Sequence, residues 1–105
     1  MKRFDIYWVQ LDPTTGSEIK KTRPCVIISP NEMNRHLQTM IVAPITSTIR
    51  ELPFRIKVKV KQRIGLILLD QIRTIDRSRL SGKIDSLSAG KGKEVLSVLQ
   101  EIFSE

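Results

Sequence analysis

The sequence predicts a mainly β fold with a C-terminal helix, arranged as an antiparallel sheet or small barrel. Three observations support this class. Short apolar segments rich in β-branched and aromatic residues follow one another, with Pro, Gly or Asn between them, as in strands joined by turns. No long helical segment alternates with these strands, which argues against a parallel α/β sheet. Only after Gly92 does the apolar spacing become that of a helix.

Four strands are predicted before residue 61. They run from Phe4 to Leu11, Pro24 to Ser29, Met40 to Ala43 and Phe54 to Val60, and the third continues to near Thr46. Proline-containing turns end the first two, and Glu32–Leu37 has room for one helical turn. Because apolar and cationic residues alternate in the last of these strands, it would bury one row and present the other on a single face. The cationic row consists of Arg55, Lys57, Lys59 and Lys61.

The rest of the chain predicts two further strands and the helix. Gly65–Leu69 fits a buried strand, Ile72–Ile75 fits a short one, and Ile84–Leu87 is ambiguous. Further on, apolar residues recur at helical spacing and form one broad face. They are Val95, Leu96, Val98, Leu99, Ile102 and Phe103. Because glycine disfavours helix interiors, we expect the helix to begin close to Gly92.

The chain is basic, and its excess charge is concentrated in the middle third. Its 105 residues have the length of a single domain, 1–105, and its 40% hydrophobic content excludes a disordered chain. The formal net charge is +7, and residues 50–83 alone contain ten basic and three acidic residues. Such a surface attracts nucleic acid, acidic protein segments or anionic membranes. The alternating cationic row fits a phosphate-tracking surface and, equally, a lysine-protected edge strand.

Few chemical groups are available for catalysis. The single cysteine, Cys25, excludes an internal disulfide and a cysteine zinc cluster, and the single histidine, His36, excludes a histidine acid–base pair. Cys25 stands in an apolar run, which predicts a small buried hydrophobe, and His36 is expected in a surface loop. No glycine-rich phosphate loop is present. An enzyme of this composition would act without metal or cofactor, through Arg, Lys, Ser, Thr and carboxylates.

The sequence also bears on location. A free buried thiol fits a reducing cytoplasm, and the N-terminal segment lacks the apolar core of an export signal. The longest apolar runs, among them Leu66–Leu69, are far too short to span a membrane. We therefore expect a cytoplasmic protein with no membrane partner.

Two polar clusters stand where predicted buried strands begin or end. Arg23 lies between a polar loop and an apolar strand, so a rigid scaffold would hold its guanidinium, as suits phosphate binding. Thr46, Ser47 and Thr48 follow another strand, and the Thr46 hydroxyl could donate a hydrogen bond to a phosphoryl oxygen. The alternative interpretation is that these residues only cap strands and turns.

The same segments carry a family resemblance. In chain order they are Trp8–Pro13, Gly16–Glu18, Thr22–Pro24, Pro44–Ser47 and Asp70–Asp76. With these landmarks the sequence resembles the MazF/PemK family of toxins from bacterial toxin–antitoxin pairs. The resemblance implies an SH3-like, CcdB-like small barrel that forms a homodimer and needs no cofactor. It also implies a sequence-specific, ribosome-independent endoribonuclease that cleaves single-stranded mRNA, inhibits translation and growth, and is neutralised by a cognate acidic, MazE-like antitoxin.

The resemblance also assigns site residues. The family arginine and threonine match Arg23 and Thr46, and Glu18 is the carboxylate available to take the proton of the attacking 2′-hydroxyl. The resemblance implies fragments with a 2′,3′-cyclic phosphate and a 5′-hydroxyl. The expected RNA contacts are Ser17, Lys20, Lys21, Ser47, Thr48, Arg55, Lys57, Asp70 and Gln71. Since Ser17 and Leu68 replace a histidine and an arginine found in some members, an Arg/Asp/His arrangement is excluded.

Two other functions remain open at this point. The related CcdB family poisons DNA gyrase without enzymatic activity, and it ends in a tryptophan-containing tripeptide that matters for gyrase binding. This chain ends Ile102-Phe103-Ser104-Glu105, without tryptophan. A small basic RNA-binding module without activity is the third possibility.

Overall fold

A computed structural model describes all of residues 1–105. In chain order its elements are β1 (Asp5–Gln10), β2 (Thr22–Ile27), α1 (Asn31–His36), β3 (Thr39–Thr46), β4 (Arg55–Val60), β5 (Arg63–Leu68), β6 (Arg73–Asp76), β7 (Leu80–Ser86) and α2 (Ala89–Ile102). Two short 3₁₀ turns occupy Leu69–Gln71 and Arg77–Arg79. Neither α-helix has the length and apolar character needed to cross a membrane.

One bent antiparallel sheet organises the chain. Its strands are hydrogen-bonded in the order β4-β5-β3-β2-β1-β7, and β6 pairs with the first half of β3. The neighbouring strands of β3 change along its length. Thr39–Val42 pair with β6 and Val42–Pro44 pair with β2, whereas Ile45 and Thr46 pair with β5. The result is a half-barrel with β4 and β7 at its ends. The predicted mainly β fold with a C-terminal helix is confirmed.

Two apolar layers cover the two faces of the central strands. One contains alternate residues of β2 and β3 together with the inner face of α2; its members include Val26, Ala43, Ile45 and Val95. The other contains the intervening residues, among them Cys25, Ile27, Met40 and Val42. This two-sided burial explains why the second predicted strand is apolar throughout instead of alternating.

Strand β4 has the alternation that the sequence predicts. Ile56 and Val58 are buried, and Lys57 and Lys59 are exposed. Because β4 pairs only with β5, its other edge is free, and exposed lysines on a free edge discourage pairing with other chains. Arg55 departs from the cationic row, since it is half-buried and forms a salt bridge with Asp70.

Helix α2 begins earlier than predicted, at Ala89 and not near Gly92. The hydroxyl oxygen of Ser88 accepts a hydrogen bond from the Lys91 N–H at 3.1 Å and caps the first turn. Gly92 is buried inside the helix, and a Cβ atom there would lie 2.6 Å from Cε2 of Phe4. The glycine therefore serves close packing against the Phe4 ring, and it does not mark the helix start.

The remaining elements differ from the sequence prediction only in their bounds. The ambiguous segment from Ile84 belongs largely to β7, which pairs with β1 through two register shifts. These irregularities explain why β7 lacks a clear period of two. Leu69 belongs to the 3₁₀ turn that follows β5, and it is the buried residue of that turn.

Candidate active site

The loop between β1 and β2 (residues 11–21) is held in place by distant side chains. The Ile19 N–H donates a hydrogen bond to Oε1 of Gln71 at 2.8 Å. Arg73 donates to the carbonyl oxygen of Leu11 at 3.0 Å, and Arg79 donates to that of Asp12 at 2.6 Å. The segment that follows β5 therefore fixes the loop on the sheet. Sequence reasoning missed the positioning roles of Arg73 and Arg79, because a contact across some sixty residues leaves no local signal.

Arg23 is fixed on one side and open on the other. It is half-buried at the start of β2, opposite Val9 of β1. Its Nε donates a hydrogen bond to the carbonyl oxygen of Lys20 at 3.2 Å. The two terminal nitrogens have no hydrogen-bond partner in the chain, and Arg23 forms no salt bridge. A guanidinium held in this way keeps its forked donors free for an oxyanion.

Thr46 ends β3 with its side chain oriented by a turn. The residue is only 9% exposed, and its Oγ1 accepts a hydrogen bond from the Thr48 N–H at 3.2 Å. Since that contact uses a lone pair, the hydroxyl proton remains available to an acceptor. In the antiparallel register of β2 and β3, Cys25 pairs with Pro44. Arg23 lies two residues before Cys25, and Thr46 lies two residues after Pro44, so both lie at the same end of these neighbouring strands.

A groove of about 320 Å³ joins these residues to the β1–β2 loop. Eight of the twelve predicted site residues line it: Ser17, Glu18, Lys20, Arg23, Thr46, Thr48, Arg55 and Gln71. Ile19, Arg50 and Leu68 complete the lining. The structure thus brings together residues from two loops, four strands and a 3₁₀ turn.

Four predicted contact residues lie outside this groove. Lys57 points to Glu51, with 2.9 Å between its Nζ and Oε1 of the glutamate. Asp70 accepts two hydrogen bonds from Arg55, at 3.1 and 3.0 Å. Lys21 is exposed at the end of the loop, and Ser47 lines a neighbouring groove. Their contacts with RNA stay predictions.

The charges of the groove are unequal. The hydrogen bonds with Asp70 raise the pKa of Arg55, and this salt bridge neutralises its charge locally. Lys20, Arg23 and Arg50 form no salt bridge. Glu18 is exposed, and its Oε1 accepts a hydrogen bond from the Thr15 N–H at 2.7 Å, which leaves the second carboxylate oxygen free. The groove therefore offers three unpaired cations and one carboxylate.

Arg50 is a groove residue that sequence reasoning missed. It is exposed in the loop between β3 and β4, and it lines the groove together with Thr46 and Thr48. The only available signal was its position, a cation soon after the three hydroxyl residues Thr46–Thr48 at and beyond the end of β3. A loop without periodicity gives no indication of where such a side chain points.

A second groove, of about 440 Å³, shares Arg23 and Thr46 with the first. The exposed side chains of Trp8 and Ile64 form part of its wall, and Lys61 and Arg63 stand at its rim. The two grooves meet at the ends of β2 and β3. Arg23 and Thr46 therefore lie at the junction of a polar groove and a more apolar one.

The remaining reactive side chains take no part in either groove. Cys25 is fully buried, and burial raises the pKa of its thiol to about 12 despite the nearby Arg73. The prediction of a small buried hydrophobe is confirmed. His36 is exposed at the end of α1, where its Nε2 lies 3.2 Å from Oε1 of Glu32. The chain contains no group of three or more His, Cys, Asp or Glu side chains that could hold a metal ion.

Comparison with known proteins identifies similar chains. The chain is 42% identical to "Endoribonuclease MazF" of Staphylococcus saprophyticus over 101 residues, which cover 90% of this chain and 84% of the relative. It is 40% identical to "Endoribonuclease EndoA" of Bacillus subtilis strain 168, covering 95% and 91%. The crystal structure of MazF from Deinococcus radiodurans superposes with a TM-score of 0.86 at 26% identity, covering 97% of this chain and 94% of that one.

The match extends to a described family. Residues 2–103 fit the family of the "PemK-like, MazF-like toxin of type II toxin-antitoxin system", which is nearly the whole chain. This match confirms the family resemblance that the short sequence motifs indicate. The chain belongs to the PemK-like, MazF-like toxins of type II toxin–antitoxin systems.

Proposed function

We propose that this chain is an endoribonuclease that cleaves single-stranded mRNA at specific sequences, independently of the ribosome. The carrying observation is the pair Arg23 and Thr46, which lie at the same end of neighbouring strands, line one groove and keep free donors. The names of the two curated relatives support the same activity. Acting as the toxin of a toxin–antitoxin pair, it would reduce translation and growth in the bacterial cytoplasm.

The reaction transfers the phosphoryl group within the RNA. The 2′-hydroxyl oxygen attacks the adjacent phosphorus atom and loses its proton, and a 2′-O–P bond forms. The bond between phosphorus and the 5′-oxygen of the next nucleotide breaks, and that oxygen takes up a proton. The fragments end in a 2′,3′-cyclic phosphate and a 5′-hydroxyl, and this step consumes no water.

Arg23 and Thr46 stabilise the charge that develops on phosphorus-bound oxygens. The free nitrogens of the guanidinium donate to the equatorial oxygens, and the Nε contact with Lys20 keeps the group in place. The Thr46 hydroxyl donates to a further oxygen while the Thr48 N–H holds it in position. Such donors act most strongly when their orientation is fixed before the reaction.

Two proton transfers need partners. The free oxygen of Glu18 takes the proton of the 2′-hydroxyl, because Glu18 is the one carboxylate that lines the groove. Arg23, whose terminal guanidinium nitrogens are free, delivers a proton to the departing 5′-oxygen. Both assignments follow from placement and from the chemistry that the reaction requires.

The proposal includes macromolecular partners. A formal charge of +7 attracts RNA, and it equally attracts an acidic, MazE-like antitoxin segment that would occupy the groove in place of RNA. We further propose a homodimer, which light scattering of the purified chain tests directly. A gyrase-poisoning role is not favoured, since both curated relatives bear the name endoribonuclease.

The decisive experiment compares the wild-type chain with Arg23→Ala and Arg23→Lys on a long single-stranded RNA, with and without EDTA. We expect discrete wild-type fragments with 5′-hydroxyl ends in both buffers. Removing a fixed oxyanion donor costs about 100- to 1,000-fold in rate, so the cleavage rate of Arg23→Ala should fall by that factor. Arg23→Lys should recover only part of the rate, because lysine lacks the two parallel donors of a guanidinium. Lys59→Ala, which removes an exposed cation from the free edge of the sheet, serves as the control.

The possible results separate the three functions. Intact RNA together with trapped gyrase–DNA complexes would identify a gyrase poison. RNA binding with neither cleavage nor gyrase trapping would leave a binding module without activity. Cleavage at the wild-type rate by Arg23→Ala would remove Arg23 from the proposed mechanism.

A further inference from the structure

Trp8 is an exposed aromatic residue with no packing role in either apolar layer. Its side chain is 44% exposed on β1, whereas the neighbouring Val9 is fully buried. Trp8 stands opposite Pro24 in the β1–β2 register, next to Arg23. The proposed cleavage reaction leaves this side chain without a task.

The surroundings of Trp8 combine an apolar surface with cations. It lines the 440 Å³ groove beside Ile64, and Arg23, Lys61 and Arg63 are the charged residues of the same lining. No carboxylate lines this groove, and none of the three cations forms a salt bridge. A second copy of the chain seated here face to face would bring like charges together, whereas RNA supplies a flat apolar base and a neutralising phosphate in each nucleotide.

We propose that Trp8 is a base-stacking residue, which binds the nucleobase next to the cleaved phosphate while Lys61 and Arg63 bind the phosphate beyond it. This inference rests on the proposed function. An exposed aromatic ring flanked by basic side chains is the arrangement that binds unpaired bases in single-stranded nucleic acid. Because Arg23 and Thr46 belong to both grooves, a base on Trp8 places the adjoining phosphate at these two residues.

The stacking contact orders the RNA along the molecule. One nucleotide lies on Trp8, the reactive phosphate lies at Arg23 and Thr46, and the strand continues toward Lys20 and Arg50 in the polar groove. Trp8 is therefore a substrate-positioning residue, since an indole ring supplies neither the base nor the acid that the two proton transfers require. Its loss should weaken RNA binding far more than it slows the chemical step.

Fluorescence reports on the contact directly, because Trp8 is the single tryptophan of the chain. We would titrate the full chain with 2′-O-methyl oligonucleotides that tile the RNA used for cleavage. These oligonucleotides carry no free 2′-hydroxyl and cannot be cut by the proposed reaction. Stacking predicts strong quenching by oligonucleotides that cover a cleavage site and weaker quenching by the others.

Three variants test the effect on turnover. Trp8→Leu should raise KM roughly tenfold, as expected for the loss of one base–aromatic stack, with kcat within about twofold of the wild-type value. Trp8→Phe, which keeps an aromatic ring, should stay close to the wild-type KM. Phe103→Leu is the matched control, since Phe103 is 73% exposed at the end of α2 and lines neither groove.

Failure of the stacking proposal and failure of the proposed function give different results. A chain that cuts RNA but shows no quenching, or a Trp8→Leu variant with unchanged KM, overturns stacking alone. Quenching without cleavage supports stacking and overturns the proposed function. Fluorescence that changes on diluting the protein, and not on adding RNA, would place Trp8 between two copies of the chain and overturn stacking.

Discussion

Arg23 and Arg55 line the same groove in opposite electrostatic states. The side chain of Arg55 is half-buried, and Asp70 engages it through two hydrogen bonds. That pair ties β4 to the turn after β5 and contributes structure. Arg23 has only the Lys20 carbonyl as a partner, so its charge remains directed at whatever enters the groove. Residue type alone does not separate the two roles; the neighbouring carboxylate does.

Arg50 should contribute to RNA binding and not to the chemical step. Its exposed, unpaired guanidinium lines the polar groove, the path that we propose for the RNA backbone. We expect Arg50→Ala to raise KM with little change in kcat, and to reduce the slope of log KM against log salt by about 0.7, the contribution of one phosphate on a single strand. Arg50→Lys should keep the slope. Steady-state cleavage at several salt concentrations measures both values.

A general loss of positive charge must be excluded in that experiment. Lys59→Ala removes one exposed cation from β4 and should leave the slope at its wild-type value. An equal reduction of the slope in both variants would mean that the overall positive charge of the protein attracts the RNA, and that Arg50 makes no specific contact.

Much of the site was predictable from the sequence because its residues stand at the ends of apolar strands. Arg23 and Thr46 could be singled out in this way, and the groove does join them to Glu18. The salt bridge of Lys57 with Glu51 could not be foreseen, because a spacing of six residues in the sequence says nothing about a contact between two side chains. Arg50 could not be found, since its loop has no periodic pattern that would show its direction.

Among the secondary-structure elements, the start of α2 shows where local propensity is overridden. Glycine is unfavourable inside a helix, and so the sequence predicted a start near Gly92. The packing of Phe4 against the helix requires the absence of a Cβ atom at this position. Tertiary contacts of this kind are set by a residue at the other end of the chain, which no window around Gly92 contains.

Gly90 and Gly92 should therefore respond oppositely to alanine. Nothing lies within 4 Å of a Cβ atom at Gly90, so Gly90→Ala should raise the free energy of unfolding by up to about 1 kcal/mol through helix propensity. At Gly92 the added methyl group meets the Phe4 ring, and this overpacking should lower the free energy of unfolding by about 1–3 kcal/mol. Urea unfolding of both variants measures the difference. Stabilisation by both substitutions would show that the Phe4 ring moves aside at little cost.

At the scale of the whole molecule, salt bridges determine where the positive charge acts. Glu51 and Asp70 engage Lys57 and Arg55, and so part of the basic middle third is neutralised within the fold. The cations without a salt bridge include Lys20, Arg23, Arg50, Lys61 and Arg63, all of which line one of the two grooves. From the basic segment of residues 50–83, Arg50, Lys61 and Arg63 thus add unpaired charge to the two grooves, although Arg23 and Thr46 lie outside that segment.

Asp5 joins the N-terminal segment to β7 and links stability to pH. Its carboxylate accepts hydrogen bonds from the Lys2 N–H at 2.9 Å and the Ser86 hydroxyl at 3.0 Å, and it lies 3.5 Å from Nζ of Lys83. Burial by itself raises the pKa of Asp5, but these partners together outweigh it and hold the pKa below its usual value. The ionised carboxylate therefore stabilises the folded chain above the unfolded-state pKa of about 3.9, and this stabilisation is lost as the pH falls through the lower folded-state value.

We expect Asp5→Asn to unfold more easily than the wild-type chain at neutral pH, with a difference that shrinks from about pH 5 to about pH 2 as the wild-type carboxyl becomes protonated. Urea unfolding at a series of pH values measures this difference. Glu101→Gln removes an exposed carboxylate that forms no salt bridge, and its difference from wild type should stay small throughout. If the Asp5→Asn difference were constant across the acid range, the contribution of Asp5 would lie in its shape and hydrogen bonds, independent of its charge.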